Sequence, residues 1–183
     1  IGPMLDDPRV APSYWASGKQ PADWKGEKRL TEGACAAATG TRPETVFKLV
    51  GAKQVGKASL TGMRTIHHMR KAEPDRLSVW PFEERETQAV MAEIYPTLFR
   101  RQATRTLAKI TDAAALTGAL AALDSGPARG VGKTVSDHEG DALVTAAGLR
   151  RFLAASNTPF ALPAQDRDRV RREGWILGVP VDG

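Results

Sequence analysis

Two carboxylates set in apolar stretches, Asp141 and Glu93, are the residues of this chain best suited by type and setting to hold a hard cation. Asp141 lies in Ser136 to Leu153, SDHEGDALVTAAGLRRFL. Ser136 followed three positions later by Glu139 reads as a capping box, so the stretch predicts a helix with Asp137 and His138 in its first turn and Asp141 one turn inside. At about 100° per residue, His138, Asp141, Val144, Thr145, Gly148 and Phe152 share one side. Leu143, Ala146, Ala147 and Leu153 cover most of the remainder, which predicts packing on more than one face. An aspartate in such a helix is costly unless a cation pairs with it. Asp137 also suits plain charge stabilisation at a helix N-terminus, and Asp141 suits an ordinary structural ion pair.

Glu93 lies in Ala89 to Pro96, AVMAEIYP, which reads as a strand with Val90, Ala92 and Ile94 on one face and Met91, Glu93 and Tyr95 on the other. A strand glutamate and a helix aspartate can meet at one edge of a layered α/β domain. Joined by further oxygen donors, such a pair suits Mg²⁺ or Mn²⁺.

The elements that must position these acids follow in chain order. Residues 1–28, with Pro3, Pro8, Pro12 and Pro21 among Tyr14, Trp15 and Trp24, predict an irregular arm. The two tryptophans suit packing over a core edge more than stacking on bases. Ile1-Gly2 before Pro3-Met4 reads as a cloning scar or the remnant of a longer strand. Residues 29 to 39 predict a short helix in which Glu32 is a possible extra acid. From Leu60 the positions Leu60, Met63, Ile66 and Met69 keep helical spacing, with Arg64, His67, Arg70 and Lys71 largely opposite. Adjacent His67 and His68 point about 100° apart on a helix and lack a further ligand motif, which excludes a zinc site there.

Leu77 to Phe82 and Ala89 to Pro96 are the clearest strands, separated by the charged EERETQ. They are expected to neighbour each other in one sheet with the Ser136 helix against it. Residues 97 to 110 bring Arg100, Arg101, Arg105 and Lys109, and residues 112 to 123 predict a further helix. Gly51, Gly56 and Gly62 do not have dinucleotide spacing. GVGKTVSD fails as a phosphate loop because Pro127 stands where its first glycine is required. NTPFALPAQ reads as a connection, DRDRVRREG is strongly charged, and Trp175 to Val179 predicts a short closing strand.

Taken together, RLTEGACAA (29 to 37), FKLVGAKQVGKASLTGMR (47 to 64), LSVWPFE (77 to 83), VMAEIYPTLFR (90 to 100), SDHEGDALVTAA (136 to 147) and REGWILGVP (172 to 180) resemble, in order and spacing, the DUF429 family of predicted nucleases. That family has a ribonuclease H-like fold, distantly similar to Holliday-junction resolvases. The resemblance covers most of residues 29 to 180. It implies an α/β domain over residues 29–183 with a mixed central sheet flanked by helices, here lacking part of the N-terminal hairpin. It further implies a divalent-metal-dependent nuclease. Matching position by position, Glu93 would be the strand acid, Asp141 the helix acid and His138 an auxiliary ligand, with Asp137 as its substitute.

Two ions roughly 3.5 to 4 Å apart would activate water and stabilise the leaving oxygen in such a site. The fold's leading strand aspartate has no counterpart before residue 29. Asp6 and Asp7 lie in a polar, proline-bounded segment, and the expectation is that the complete coding sequence carries that strand upstream. Arg64, Arg70, Lys71, Arg100, Arg101 and Arg105 are the candidate backbone-phosphate contacts. The rival readings are a non-catalytic ribonuclease H-like domain that binds nucleic acid or protein, and a hydrolase of small phosphorylated metabolites.

Composition bounds these readings. A chain of 183 residues with 42% hydrophobic residues buries one sizeable core. A single cysteine, Cys35, excludes an intrachain disulfide and favours a cytoplasmic setting. No run of 18 apolar residues occurs and the opening is not signal-like, so neither a membrane span nor secretion is expected. Lys plus Arg number 26 against 21 Asp plus Glu, a formal charge of +5 that suits DNA or RNA as partner.

Overall fold

The computed structural model describes residues 7–83 and 87–181. The Ile1-Gly2 opening, Asp6 and the centre of the EERETQ linker lie outside the described residues. Among the described residues, six α-helices and two short strands are laid down. They are α1 (Leu30–Thr39), α2 (Gly56–Ala72), β1 (Leu77–Val79), β2 (Ala89–Met91), α3 (Pro96–Thr104), α4 (Ala113–Ala122), α5 (Asp137–Ala155) and α6 (Arg167–Glu173).

Local sequence accounts for most boundaries. Glu32, at the third position of α1, accepts from the Arg29 backbone N–H at 2.6 Å, and Gly40 closes the helix in the left-handed region at φ 65°. Pro96 opens α3, where a missing N–H costs nothing. Asp112 caps α4 by accepting from Ala115 N at 2.8 Å. Both halves of the expected box form at α5: Glu139 N donates to Ser136 Oγ at 3.3 Å, and Ser136 N donates to Glu139 Oε2 at 2.9 Å. Residues 167–173, read from the sequence only as strongly charged, form α6, whose Val170 is fully buried.

β1 and β2 are parallel, with Leu77 opposite Ala89 and Val79 opposite Met91. This is a small α/β domain with a minimal, unclosed sheet, where a larger mixed sheet was expected. The strands are short for identifiable reasons. β1 stops before Pro81, which has no N–H to continue a ladder, so β2 has no β1 partner beyond Met91 and the chain keeps only a bridge at Glu93 before Pro96 opens α3. The expected closing strand at Trp175 to Val179 is reduced to one parallel bridge, Glu93 to Ile176, made by Leu177 N donating to Glu93 O at 2.9 Å. Gly178, at φ 89°, then turns the chain.

The core is chiefly helical. α5 lies on α3 and α4, α1 packs on α3 and α6, and α2 packs on β1. The expectation that α5 would lie directly on the sheet is therefore corrected: its principal neighbours are helices, in keeping with its nearly continuous apolar surface. Phe99, fully buried, fills the space where α3 meets Gly148 of α5. Leu116, Leu120, Leu123, Val144, Val170 and Trp175 complete the same cluster. In the N-terminal arm, Trp15 bridges Lys48, and its ring lies 5.6 Å from that of Trp24, so both tryptophans pack on the chain itself. Among the described residues no helix is long and apolar enough to cross a membrane.

Candidate functional site

The first turn and a half of α5 presents Asp137 and Asp141 one helical turn apart, so both carboxylates reach the same side. They converge on a cation of the chain itself. Lys109 Nζ lies 2.8 Å from Asp137 Oδ2 and 3.1 Å from Asp141 Oδ2. Partial burial opposes the charge on Lys109, but hydrogen bonds to Asp137 and Asp141 outweigh it and hold the ammonium pKa above its ordinary value. The other Asp141 oxygen, Oδ1, accepts from Arg100 Nη1. Arg100 comes from α3 and is only 4% exposed; its Nη2 also donates to Thr97 Oγ1 at 3.1 Å. The helix pair α3–α5 thus carries a partly buried Arg100–Asp141 bond with Lys109 and Asp137 on its solvent side.

His138, the expected auxiliary ligand, is exposed and has no hydrogen bond or ion pair among the described residues. Its place one residue after Asp137 turns it about 100° from that carboxylate.

Glu93 is held by a different cation. Arg29 Nη1 donates to Glu93 Oε2 and Arg29 Nη2 to Glu93 Oε1, each at 2.8 Å, a bidentate fork. Arg29 Nε also donates to the buried Glu32 Oε1 at 2.7 Å, and Nη1 donates to the Glu173 backbone oxygen at 3.2 Å. Burial works against the Arg29 charge, yet Glu93 and Glu32 prevail and push its pKa above the usual guanidinium value. Glu173 closes the cluster by accepting from Leu30 N at 3.0 Å and Arg169 Nε at 2.6 Å. Burial raises the Glu173 pKa, but those two donors hold it below the ordinary carboxylate value.

The acids expected to share one site are therefore neutralised separately, Glu93 by Arg29 and Asp141 by Arg100 and Lys109. The apolar setting read for Glu93 also differs: its side chain is 43% exposed at the end of the short sheet. Among the described residues no three His, Cys, Asp or Glu side chains converge to hold an ion. Arg29 is the partner of Glu93 that sequence reading missed. Its local signal is the three-residue spacing to Glu32, while its partners Glu93 and Glu173 are 64 and 144 positions away.

Of the candidate phosphate contacts, Arg64, Lys71 and Arg105 are exposed and Arg101 is half-buried. Arg70 is engaged with Glu83 at 2.7 Å and with the Pro74 backbone oxygen at 2.9 Å. Arg100 is turned inward onto Asp141, which takes it out of reach of a nucleic-acid backbone. Cys35 is buried on α1, and burial pushes its thiol up to about 11, so it is no nucleophile at neutral pH. Set beside known protein families, curated proteins and solved structures, the chain has no match in any of the three.

Proposed function

We propose that the chain is a ribonuclease H-like, nucleic-acid-processing domain that hydrolyses phosphodiester bonds with a divalent ion at Asp137 and Asp141. The observation that carries this reading is the Lys109 ammonium, a cation drawn between two carboxylates whose oxygens are of the kind that Mg²⁺ or Mn²⁺ prefers. The donors fit such an ion in type and convergence. An ion bound there would supply an activated water and neutralise charge on the phosphate. The chain's own residues do the positioning: Arg100 fixes one Asp141 oxygen from the buried side, leaving Asp141 Oδ2 and Asp137 on the solvent side. Lys109 and Arg105 supply positive charge for a polyanion. Glu93, gripped by Arg29, joins only if that fork opens.

A second reading, a non-catalytic domain of the same type that binds nucleic acid or protein, is favoured by one specific observation. Both oxygens of Glu93 and both of Asp141 already accept from Arg or Lys side chains.

Cleavage assays on single- and double-stranded DNA and RNA with Mg²⁺ or Mn²⁺ separate the two. Asp137→Asn and Asp141→Asn are each expected to lower metal-stimulated cleavage by more than about 100-fold, beyond what removing an outer-shell partner costs. Asp137 is half-exposed, so its variant keeps the parent thermal transition and its loss of cleavage reports on chemistry. Glu93→Gln asks in the same assay whether the strand acid takes part. Cleavage unchanged by both aspartate substitutions rejects the site; binding without cleavage under every metal establishes the second reading.

A further inference from the structure

A cavity of about 250 Å³ opens between the sheet and the chain that leads into α6, well away from Asp137 and Asp141 in sequence. Trp80, Val90 and Leu162 form apolar wall, Phe160 lies at its side, Ser78 and the Glu83 carboxylate, which Arg70 engages, add polar groups, and Arg167 lies at its edge. Trp80 is buried and fixed, with Nε1 donating to the Phe160 backbone oxygen at 3.2 Å. The Phe160 ring stands 6.0 Å from it at 59°, and Phe160 is 42% exposed. Leaving a large aromatic partly in water beside a hollow of mixed polarity costs hydrophobic free energy that a flat ligand would recover. Arg167 is exposed and has no hydrogen bond or ion pair among the described residues, so it is available to an anion.

The hollow is below the size that takes a drug-sized molecule and is suited to one small planar group. Aromatic walls recognise any base through its π-face, and an unpaired arginine next to them suits the attached phosphate. We infer that this pocket holds one unpaired nucleobase of a single-stranded nucleic acid, with Arg167 on the neighbouring phosphate. The inference rests on the proposed function for its nucleic-acid ligand. Arg167 begins α6 and Glu173 ends it, about 9 Å away at 1.5 Å per residue, and Glu173 touches Arg29, the partner of Glu93. That distance is about three stacked nucleotides at 3.4 Å each. A strand of that length seated by a base in the pocket reaches the sheet end that carries Glu93, the acid that joins the site only when the Arg29 fork opens.

The test uses a fluorescein-labelled short oligothymidylate, with binding followed by anisotropy in EDTA over a range of salt. Phe160→Ala is expected to weaken binding about 5- to 150-fold, the loss of one stacked base. Arg167→Gln is expected to flatten the logarithmic salt dependence by about 0.7, one phosphate contact on a single strand. Phe160→Leu keeps the apolar bulk without the π-face and is expected to weaken binding as well. Parent protein that binds while both Phe160 variants bind equally well overturns the pocket and leaves the proposed function standing. Loss with Phe160→Ala but full affinity with Phe160→Leu overturns base stacking, since apolar bulk alone then suffices. An unsubstituted protein that binds no oligothymidylate overturns the pocket, and the metal-dependent cleavage assay then decides the proposed function separately.

Discussion

Arg29→Met is expected to destabilise the domain by about 3–5 kcal/mol, the cost of removing one partner from a buried ion pair. Arg29 serves two carboxylates of unlike exposure. Glu93, 43% exposed, returns to water when the guanidinium is gone and adds little. Glu32, whose side chain is 3% exposed, is left with the Arg29 backbone N–H alone. Arg29→Lys is no rescue, because a single ammonium cannot reproduce a fork shared between Glu93 and Glu32. The double variant Arg29→Met with Glu32→Met is expected to recover most of the loss, since an apolar pair of similar volume replaces a desolvated ionic one. Urea unfolding of the parent, Arg29→Met, Glu32→Met and the double variant gives the coupling directly. Equal stability of the single and double variants would show that Glu32 is not the residue that suffers.

Gly148→Ala is expected to destabilise by about 1–3 kcal/mol, although alanine is the better helix former. An added Cβ would stand 2.7 Å from both Cβ and Cγ of Phe99, and closer still to the ring edge. Phe99 is fully buried and cannot swing into solvent, so the overlap must be relieved by moving α3 away from α5. The control is Gly118→Ala in α4, where nothing lies within 4 Å of the added atom. There the same substitution is expected to stabilise by up to about 1 kcal/mol. Opposite signs in thermal melts identify the α3–α5 approach as the reason for Gly148; a stabilised Gly148→Ala would contradict it.

Local rules made much of the helical framework legible. The Ser136–Glu139 box, the apolar period from Leu60 to Met69 and the glycine closing α1 each act within a few residues, and each appears where the sequence places it. The pairing of residues 77–79 with 89–91 was also readable, because both runs are β-rich and bounded by charge or proline. The extent of the sheet was not. Whether Trp175 to Val179 adds a strand depends on how far α3 and α6 let it approach Glu93, and no local pattern encodes that.

The site divides in the same way. Residues with the chemistry to bind a cation were visible at Asp137, Asp141 and Glu93. The cations that reach them were not, because Lys109 lies 32 positions from Asp141, Arg100 lies 41 from it, and Arg29 lies 64 from Glu93. Asp141 was read as either a ligand or a structural ion pair. It is an ion-pair partner, and through Asp137 and Lys109 it is also where the ligand reading finds its support.

Mn²⁺ titration followed by the paramagnetic resonance of the free ion tests the proposed cation site without relying on any substrate. The protein is expected to remove Mn²⁺ from the free signal, and Asp137→Asn and Asp141→Asn are expected to abolish this. Lys109→Met is expected to tighten binding by withdrawing the tethered competitor. A free Mn²⁺ signal that is the same with and without protein, or binding that survives both aspartate substitutions, would contradict a divalent-ion site at Asp137 and Asp141.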